Sequence, residues 1–240
     1  MTLIKSISGI RGTLENIPGD SLSDVDIKQF TLAYFQEIIL PQNNNLVVVG
    51  RDARKSGKKI SNIVSSTLSD EGCDVIDIGM VTTPTLGIYT KKIKASGGIM
   101  ISASHNDERW NALKLLNSRG EFLSPKNVER VIRDELRTKT EIKKSGNIVT
   151  YGKALDDHID LIMSQKLLLK DEIKTRNFKV VVDGINSVGG VAVPLFLKSL
   201  GVDKIHEINC KPNGVFAHNP EPLPENIKEI CEIIKNGDFD

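Results

Sequence analysis

Leu46-Val47-Val48-Val49-Gly50-Arg51-Asp52-Ala53-Arg54 decides the fold class. The aliphatic run Leu46 to Val49 before Gly50 reads as a buried strand by composition, followed directly by a polar, arginine-bearing loop. Behind the loop, Ile60, Ile63, Val64, Thr67 and Leu68 recur at helical spacing, and Gly72 supplies a stop. The same alternation continues outward. Val75 to Ile78 before Gly79 is the next strand, and Thr83-Pro84 is a cap and first-turn proline opening a helix toward Ile93. Gly98 to Ser102 is a third strand and Ala112 to Leu116 a fourth. Ser124-Pro125 starts an amphipathic helix through Val128, Val131, Ile132 and Leu136. Strands alternating with helices predict an α/β fold with a largely parallel or mixed sheet.

A polar stretch over 138–153, with Lys143, Lys144, Ser145 and Gly146, reads as the passage to a second domain. Its helix carries Ile159, Ile162 and Met163. Lys179 to Gly184 then restarts the strand, loop and helix pattern, with Val188 to Leu200 as the helix and Lys204 to Ile208 as a further strand. Asn219-Pro220-Glu221-Pro222-Leu223-Pro224 leads into a last helix bearing Ile227, Ile230, Cys231 and Ile234. A chain of 240 residues accommodates this as two α/β domains, 1–150 and 151–240, each a mixed sheet sandwiched between helices.

Composition narrows the function classes. Hydrophobic residues at 39% and charged residues at 26% suit a globular chain with a real core. Lys plus Arg number 32 against 31 Asp plus Glu, a formal charge of +1, so the electrostatic footprint of a nucleic-acid binder is missing. Neither a signal peptide nor a run of roughly 18 apolar residues is present, so no membrane partner and a cytoplasmic location are expected. Cys73, Cys210 and Cys231 are widely separated in apolar-periodic stretches and read as reduced core thiols.

The chemistry concentrates where strands end. Ser102-Ala103-Ser104-His105-Asn106 lies at the carboxyl end of the third strand, the favoured position for a ligand in an open α/β sheet. Asn111-Ala112-Leu113-Lys114 returns an ammonium toward the same edge if the two strands pair. A serine hydroxyl needs activation or modification to act, and a nearby Lys and His suit phosphate binding or proton transfer. The spacing alone equally allows a polar turn whose serines cap backbone groups. In the loop Ser8-Gly9-Ile10-Arg11-Gly12 the glycines would let backbone approach a ligand while Arg11 offers a planar fork to phosphate. Arg51 and Asp52 read more simply as an internal ion pair. His158, beside Asp156, Asp157 and Asp160, reads as part of a solvated face, and no histidines have metal-ligand spacing.

These segments, followed by Val182-Asp183-Gly184 and Asn219-Pro220-Glu221-Pro222-Leu223-Pro224-Glu225-Asn226, resemble in content and order the α-D-phosphohexomutases, the family of phosphoglucomutase/phosphomannomutase and phosphoglucosamine mutase. Two departures are Asp107 where a proline is usual and Ala112 where a glycine is usual. The resemblance implies a phosphoserine enzyme in which Ser104 passes a phosphoryl group to a sugar 1- or 6-phosphate. The resulting hexose 1,6-bisphosphate, also the activator, turns over in the cleft and returns its other phosphoryl group. It assigns Ser104, His105, Lys114 and Arg11 to catalysis and Asn106, Gly12 and Arg51 to phosphate binding. It also implies Mg²⁺, held by an oxygen of the Ser104 phosphate and by an Asp-Gly-Asp-x-Asp-Arg loop that is not in this sequence. Asp238 and Asp240 belong to the strand expected before that loop.

The chain is accordingly expected to be the amino-terminal portion of a phosphohexomutase, inactive alone, with the carboxyl-terminal domains and a phosphosugar as partners. The alternatives are a phosphosugar-binding or complementation module and a phosphosugar phosphatase.

Overall fold

Val47, Val48 and Val49 are fully buried, and they point to opposite sides of one sheet. Val47 and Val49 join a cluster with Ile27, Phe30, Ile60, Val64 and Leu68. Val48 joins another with Ile78, Leu86, Tyr89 and Met100. Burial on both faces is why the run is uninterruptedly apolar. The structure is a computed structural model describing residues 1–133, 138 and 144–240. The chain divides into two compact units, one of Met1–Asp52, Ser56–Ala103 and Arg109–Ala154 and the other of Ala53–Lys55, Ser104–Glu108 and Leu155–Asp240.

The first unit contains β1 (Ile4–Ser6), β2 (Gly9–Thr13), α1 (Asp24–Tyr34) with a π-helical continuation over Phe35–Ile39, β3 (Leu46–Arg51) and α2 (Gly57–Asp70). It continues with β4 (Asp74–Met80), α3 (Thr83–Lys92), β5 (Gly97–Ile101), β6 (Trp110–Asn117), α4 (Pro125–Val131) and β7 (Ile148–Thr150). The sheet order is β1-β2-β6-β5-β3-β4-β7. β5, β3, β4 and β7 run parallel, whereas β6, β2 and β1 are joined antiparallel at one side. Tyr34 ties helix to sheet. Its hydroxyl donates to the Leu116 carbonyl at 2.6 Å, and burial pushes the phenol far above its usual range.

Several expectations are corrected here. Gly9 to Gly12 is not a loop but most of β2. Ile148-Val149-Thr150, inside the stretch read as a passage between domains, pairs with β4 because β-branched residues suit a sheet edge. The cap of α3 is Thr82, whose hydroxyl accepts from the Thr85 amide, so Pro84 sits one position deeper in the first turn. The helix after Ser124 ends at Val131, and Leu136, like Lys143, lies outside the described residues. Of the cysteines, Cys73 alone is a buried thiol; Cys210 is half-buried and Cys231 exposed.

The second unit contains α5 (from Ala154, the last residue of the first unit, to Met163), α6 (Lys170–Arg176), β8 (Lys179–Asp183), α7 (Gly189–Ser199), β9 (Lys204–Ile208) and α8 (Lys228–Asn236). β8 and β9 pair in parallel, Lys179 opposite Lys204 through Asp183 opposite Ile208. After α8 the chain returns to the start of β8: the Asp240 amide donates to the Lys179 carbonyl at 3.0 Å and the Asp240 carboxylate accepts from the Lys179 amide at 2.8 Å. No helix among the described residues is long and apolar enough to cross a membrane.

Candidate active site

The polar cluster after β5 is built around its backbone. Ser102 still donates to the Ala112 carbonyl at 3.1 Å, and Ala103 is buried. Ser104 and His105 then emerge exposed, with Asn106 and Asp107 half-buried. Ser104 takes φ +56°, a left-handed conformation that few residues other than glycine adopt. The loop's carbonyls meet Arg54, 2% exposed, whose Nη2 donates to those of Ser104 at 3.0 Å and Asn106 at 2.7 Å. Its Nη1 donates to the Asp107 carbonyl at 2.5 Å. Ala53–Lys55 and Ser104–Glu108 accordingly belong to one unit. The sequence marks Arg54 as part of a notable motif but gives it no role, because an arginine after a buried strand can face solvent as readily as a neighbouring loop.

Arg11 and Lys114, both half-buried, lie on paired strands of the other unit. Arg11 stands opposite Ala112, so Lys114, two residues along β6, shares its face of the sheet as a diagonal neighbour. Pairing of β5 with β6 sets Lys114 opposite Met100, near the carboxyl end of β5, as expected from the return of the chain. The glycines around Arg11 serve a different purpose from the one expected. A Cβ on Gly12 would lie 2.7 Å from the Leu22 amide nitrogen, and one on Gly9, at φ +132°, 2.7 Å from the Leu113 carbonyl oxygen. What approaches these glycines closely is the protein's own backbone. Asn111 is fully buried, donating to Ser56 Oγ at 2.8 Å. Arg51 turns back on its own loop, donating from Nη1 to the Asp52 carbonyl at 3.0 Å.

A second cluster lies at the carboxyl ends of β8 and β9. His218 Nε2 is 2.8 Å from an Asp183 carboxylate oxygen, and its Nδ1 is 2.8 Å from the Asn219 carbonyl. Both partners are acceptors, so the doubly protonated ring satisfies both contacts. Burial alone would lower the pKa, but the hydrogen bonds to Asn219 and Asp183 and the charges of Asp183 and Glu229 outweigh it and raise it. Asp183 also accepts from the Ile185 amide at 2.9 Å. The motifs Val182-Asp183-Gly184 and Asn219 to Pro224 thus meet through His218, which escapes a reading of the sequence because it stands just before its motif. His158 is half-buried, and burial lowers its pKa; the face expected to be solvated is only partly so.

A Mg²⁺ ion takes several hard oxygen ligands. Among the described residues no three His, Cys, Asp or Glu side chains gather as a ligand set. Asp238 pairs with Lys179 and Asp240 with the Lys179 amide. The side chains described therefore do not make a magnesium site by themselves.

Comparison with known proteins gives a family. Residues 4–143 match the model of phosphoglucomutase/phosphomannomutase alpha/beta/alpha domain I, and residues 156–240 that of alpha/beta/alpha domain II. The chain is 38% identical to a phosphoglucomutase/phosphomannomutase of Thermococcus kodakarensis over 79% of its own length and 42% of the relative's. It is 35% identical to a probable phosphoglucosamine mutase of Methanopyrus kandleri over 81% of its length and 42% of the relative's. Among solved structures, a putative phosphomannomutase from Thermus thermophilus superposes with TM-score 0.82 at 21% identity, covering 98% of this chain and 52% of that one. A phosphoglucomutase/phosphomannomutase family protein of Burkholderia thailandensis gives 0.76 at 26% identity, covering 99% and 52%. The chain thus spans less than half the length of these curated relatives.

Proposed function

Because the chain belongs to the phosphoglucomutase/phosphomannomutase family, we propose that its residues supply the phosphoryl-carrying part of an enzyme that interconverts hexose or hexosamine 6- and 1-phosphates. Ser104 is the carrier. The P–O bond to Ser104 Oγ breaks as a sugar hydroxyl oxygen bonds to phosphorus; Lys114 in its neutral amine form, or a neighbouring basic group, takes the hydroxyl proton, and the cation so formed returns a proton to the departing Ser104 Oγ. The hexose 1,6-bisphosphate so formed then returns its other phosphoryl group to Ser104. Such a transfer depends on positioning and neutralisation of charge more than on covalent machinery. Arg11 and Lys114 supply positive charge and His105 and Asn106 orient the phosphoryl group; Gly12 and Arg51, assigned to phosphate binding by the resemblance, have packing roles on their own strand and loop that leave them the weaker members of the set. Mg²⁺ enters this reading only as a partner of the phosphate on Ser104. Phosphosugar chemistry with reduced thiols goes with a cytoplasmic setting.

The observation that carries the reading is the exposed Ser104 at φ +56° on a loop whose carbonyls are gripped by a buried arginine. A left-handed residue other than glycine at the carboxyl end of a sheet strand, where ligands bind in open α/β sheets, supports a role for its exposed hydroxyl. Intact-mass analysis of the chain joined to the carboxyl-terminal domains proposed as its partner, before and after incubation with glucose 1,6-bisphosphate, is expected to show one phosphate, mapped to Ser104 and lost in Ser104→Ala. No phosphate on Ser104 under either condition overturns the reading. Release of inorganic phosphate without isomerisation would identify a phosphosugar phosphatase instead.

A further inference from the structure

The geometry points to Arg54 as a positioning residue that holds Ser104 in its left-handed conformation, with Phe216 as the lid that keeps the Arg54 guanidinium in place. This rests on the proposed role of Ser104 only for what the held conformation is for. The contacts themselves lie within one unit. Arg54 spends three donor contacts on three carbonyls of one short loop, at 2.5 to 3.0 Å. Its guanidinium carbon also lies over the Phe216 ring, 4.9 Å from the ring centroid. A planar fork can span carbonyls that a single ammonium cannot, and a desolvated cation on an aromatic face is held firmly.

Phe216 is itself fixed. Gly214, at φ +70°, brings its backbone so close to the 53–54 segment that a Cβ there would lie 2.1 Å from the Ala53 carbonyl oxygen. The Gly214 amide donates to the Asn186 carbonyl at 3.0 Å, and Asn186 Nδ2 donates to the Val215 carbonyl at 3.0 Å. A continuous set of short contacts therefore runs from the loop after β8, through 214–216 and Arg54, to the backbone of Ser104. None of these residues needs to touch a sugar for its loss to disturb the serine.

The test uses the 240-residue chain and amide ¹⁵N relaxation. In the wild type, Ser104 to Asp107 are expected to have order parameters near about 0.85, as in rigid backbone; Arg54→Lys should lower them below about 0.6 while β3 and β5 stay unchanged. Phe216→Ala should give a smaller drop and Phe216→Tyr, which keeps the ring, none. In the chain joined to the carboxyl-terminal domains proposed as its partner, phosphate taken up by Ser104 from glucose 1,6-bisphosphate in a fixed time should fall at least about tenfold in Arg54→Lys at equal folded fraction. A folded Arg54→Lys chain with the loop as ordered as wild type overturns the proposal. If the Arg54 variants do not fold, unchanged loop order in Phe216→Ala overturns it. Loosening of the loop where the wild type takes up no phosphate even when joined to those domains would keep Arg54 as the anchor and remove the phosphoryl-transfer reading alone.

Discussion

His218 bridges two segments of the second unit: its Nε2 lies 2.8 Å from an Asp183 carboxylate oxygen while its Nδ1 lies 2.8 Å from the Asn219 carbonyl oxygen. These contacts favour the imidazolium, so the folded pKa is raised above the usual histidine value. The stabilisation is fully present below the unfolded value, about 6.5, and is lost as pH rises through the raised folded value. The thermal midpoint is therefore expected to be higher at about pH 6 than at about pH 8.5, by no more than about 4 °C for a single half-buried pair. His218→Asn should shrink the difference. An equal pH dependence in that variant would mean that other groups carry it.

The cysteines should separate by reactivity. Burial, aided by the negative charges of Glu71 and Asp74, pushes the Cys73 thiol up to about 12, so its thiolate is scarce at neutral pH. Burial also raises Cys210, though that side chain is only half-buried. With a disulfide reagent at about pH 8, Cys231 should react within mixing, Cys210 more slowly, and Cys73 only on unfolding, with at least about a hundredfold between first and last. Titration of all three at one rate would contradict the burial described.

Much of this architecture is readable because two-sided burial leaves a plain trace. Val47 to Val49 and Gly98 to Ile101 are apolar throughout, and both belong to strands covered on each face. β2 is harder to read. Gly9 and Gly12 look like a loop because their reason for being glycine, close approach to the Leu113 and Leu22 backbones, lies far away in sequence. β7 is masked by the polar residues around it. The candidate site is legible as residue types at strand ends, and the pairing of β2 with β6 gives Arg11 and Lys114 a shared face. What the sequence hides is the support. Arg54 and His218 act through contacts of 50 and 35 residues' separation, for which local pattern carries no signal.

Gly50 offers a test of packing at the head of the site loop. A Cβ there would lie 2.9 Å from both Leu86 Cδ1 and Val81 Cγ2, side chains packed on the α3 face of the sheet. Gly50→Ala should destabilise the chain by about 1–3 kcal/mol through overpacking, and Leu86→Ala by about 2–5 kcal/mol through the cavity it leaves. Together they should be less damaging than their sum, since the smaller residue at 86 makes room for the methyl group. Urea unfolding of the four chains gives the coupling. Strict additivity would mean that Leu86 is not what excludes a side chain at 50.

The backbone of Ser104 supplies the last prediction. At φ +56° a residue with a Cβ is strained, and glycine is not. Ser104→Gly should therefore be more stable than Ser104→Ala by about 0.5–1 kcal/mol, although both lose the hydroxyl. If Arg54 imposes that conformation, the advantage of glycine depends on Arg54. In an Arg54→Lys background the loop is free to relax, and the two replacements at 104 should then differ by less than about 0.3 kcal/mol. Denaturant unfolding of the four chains closes the cycle. An advantage that survives unchanged without Arg54 would show that the left-handed serine is set by the loop's own sequence, and the arginine would lose its positioning role.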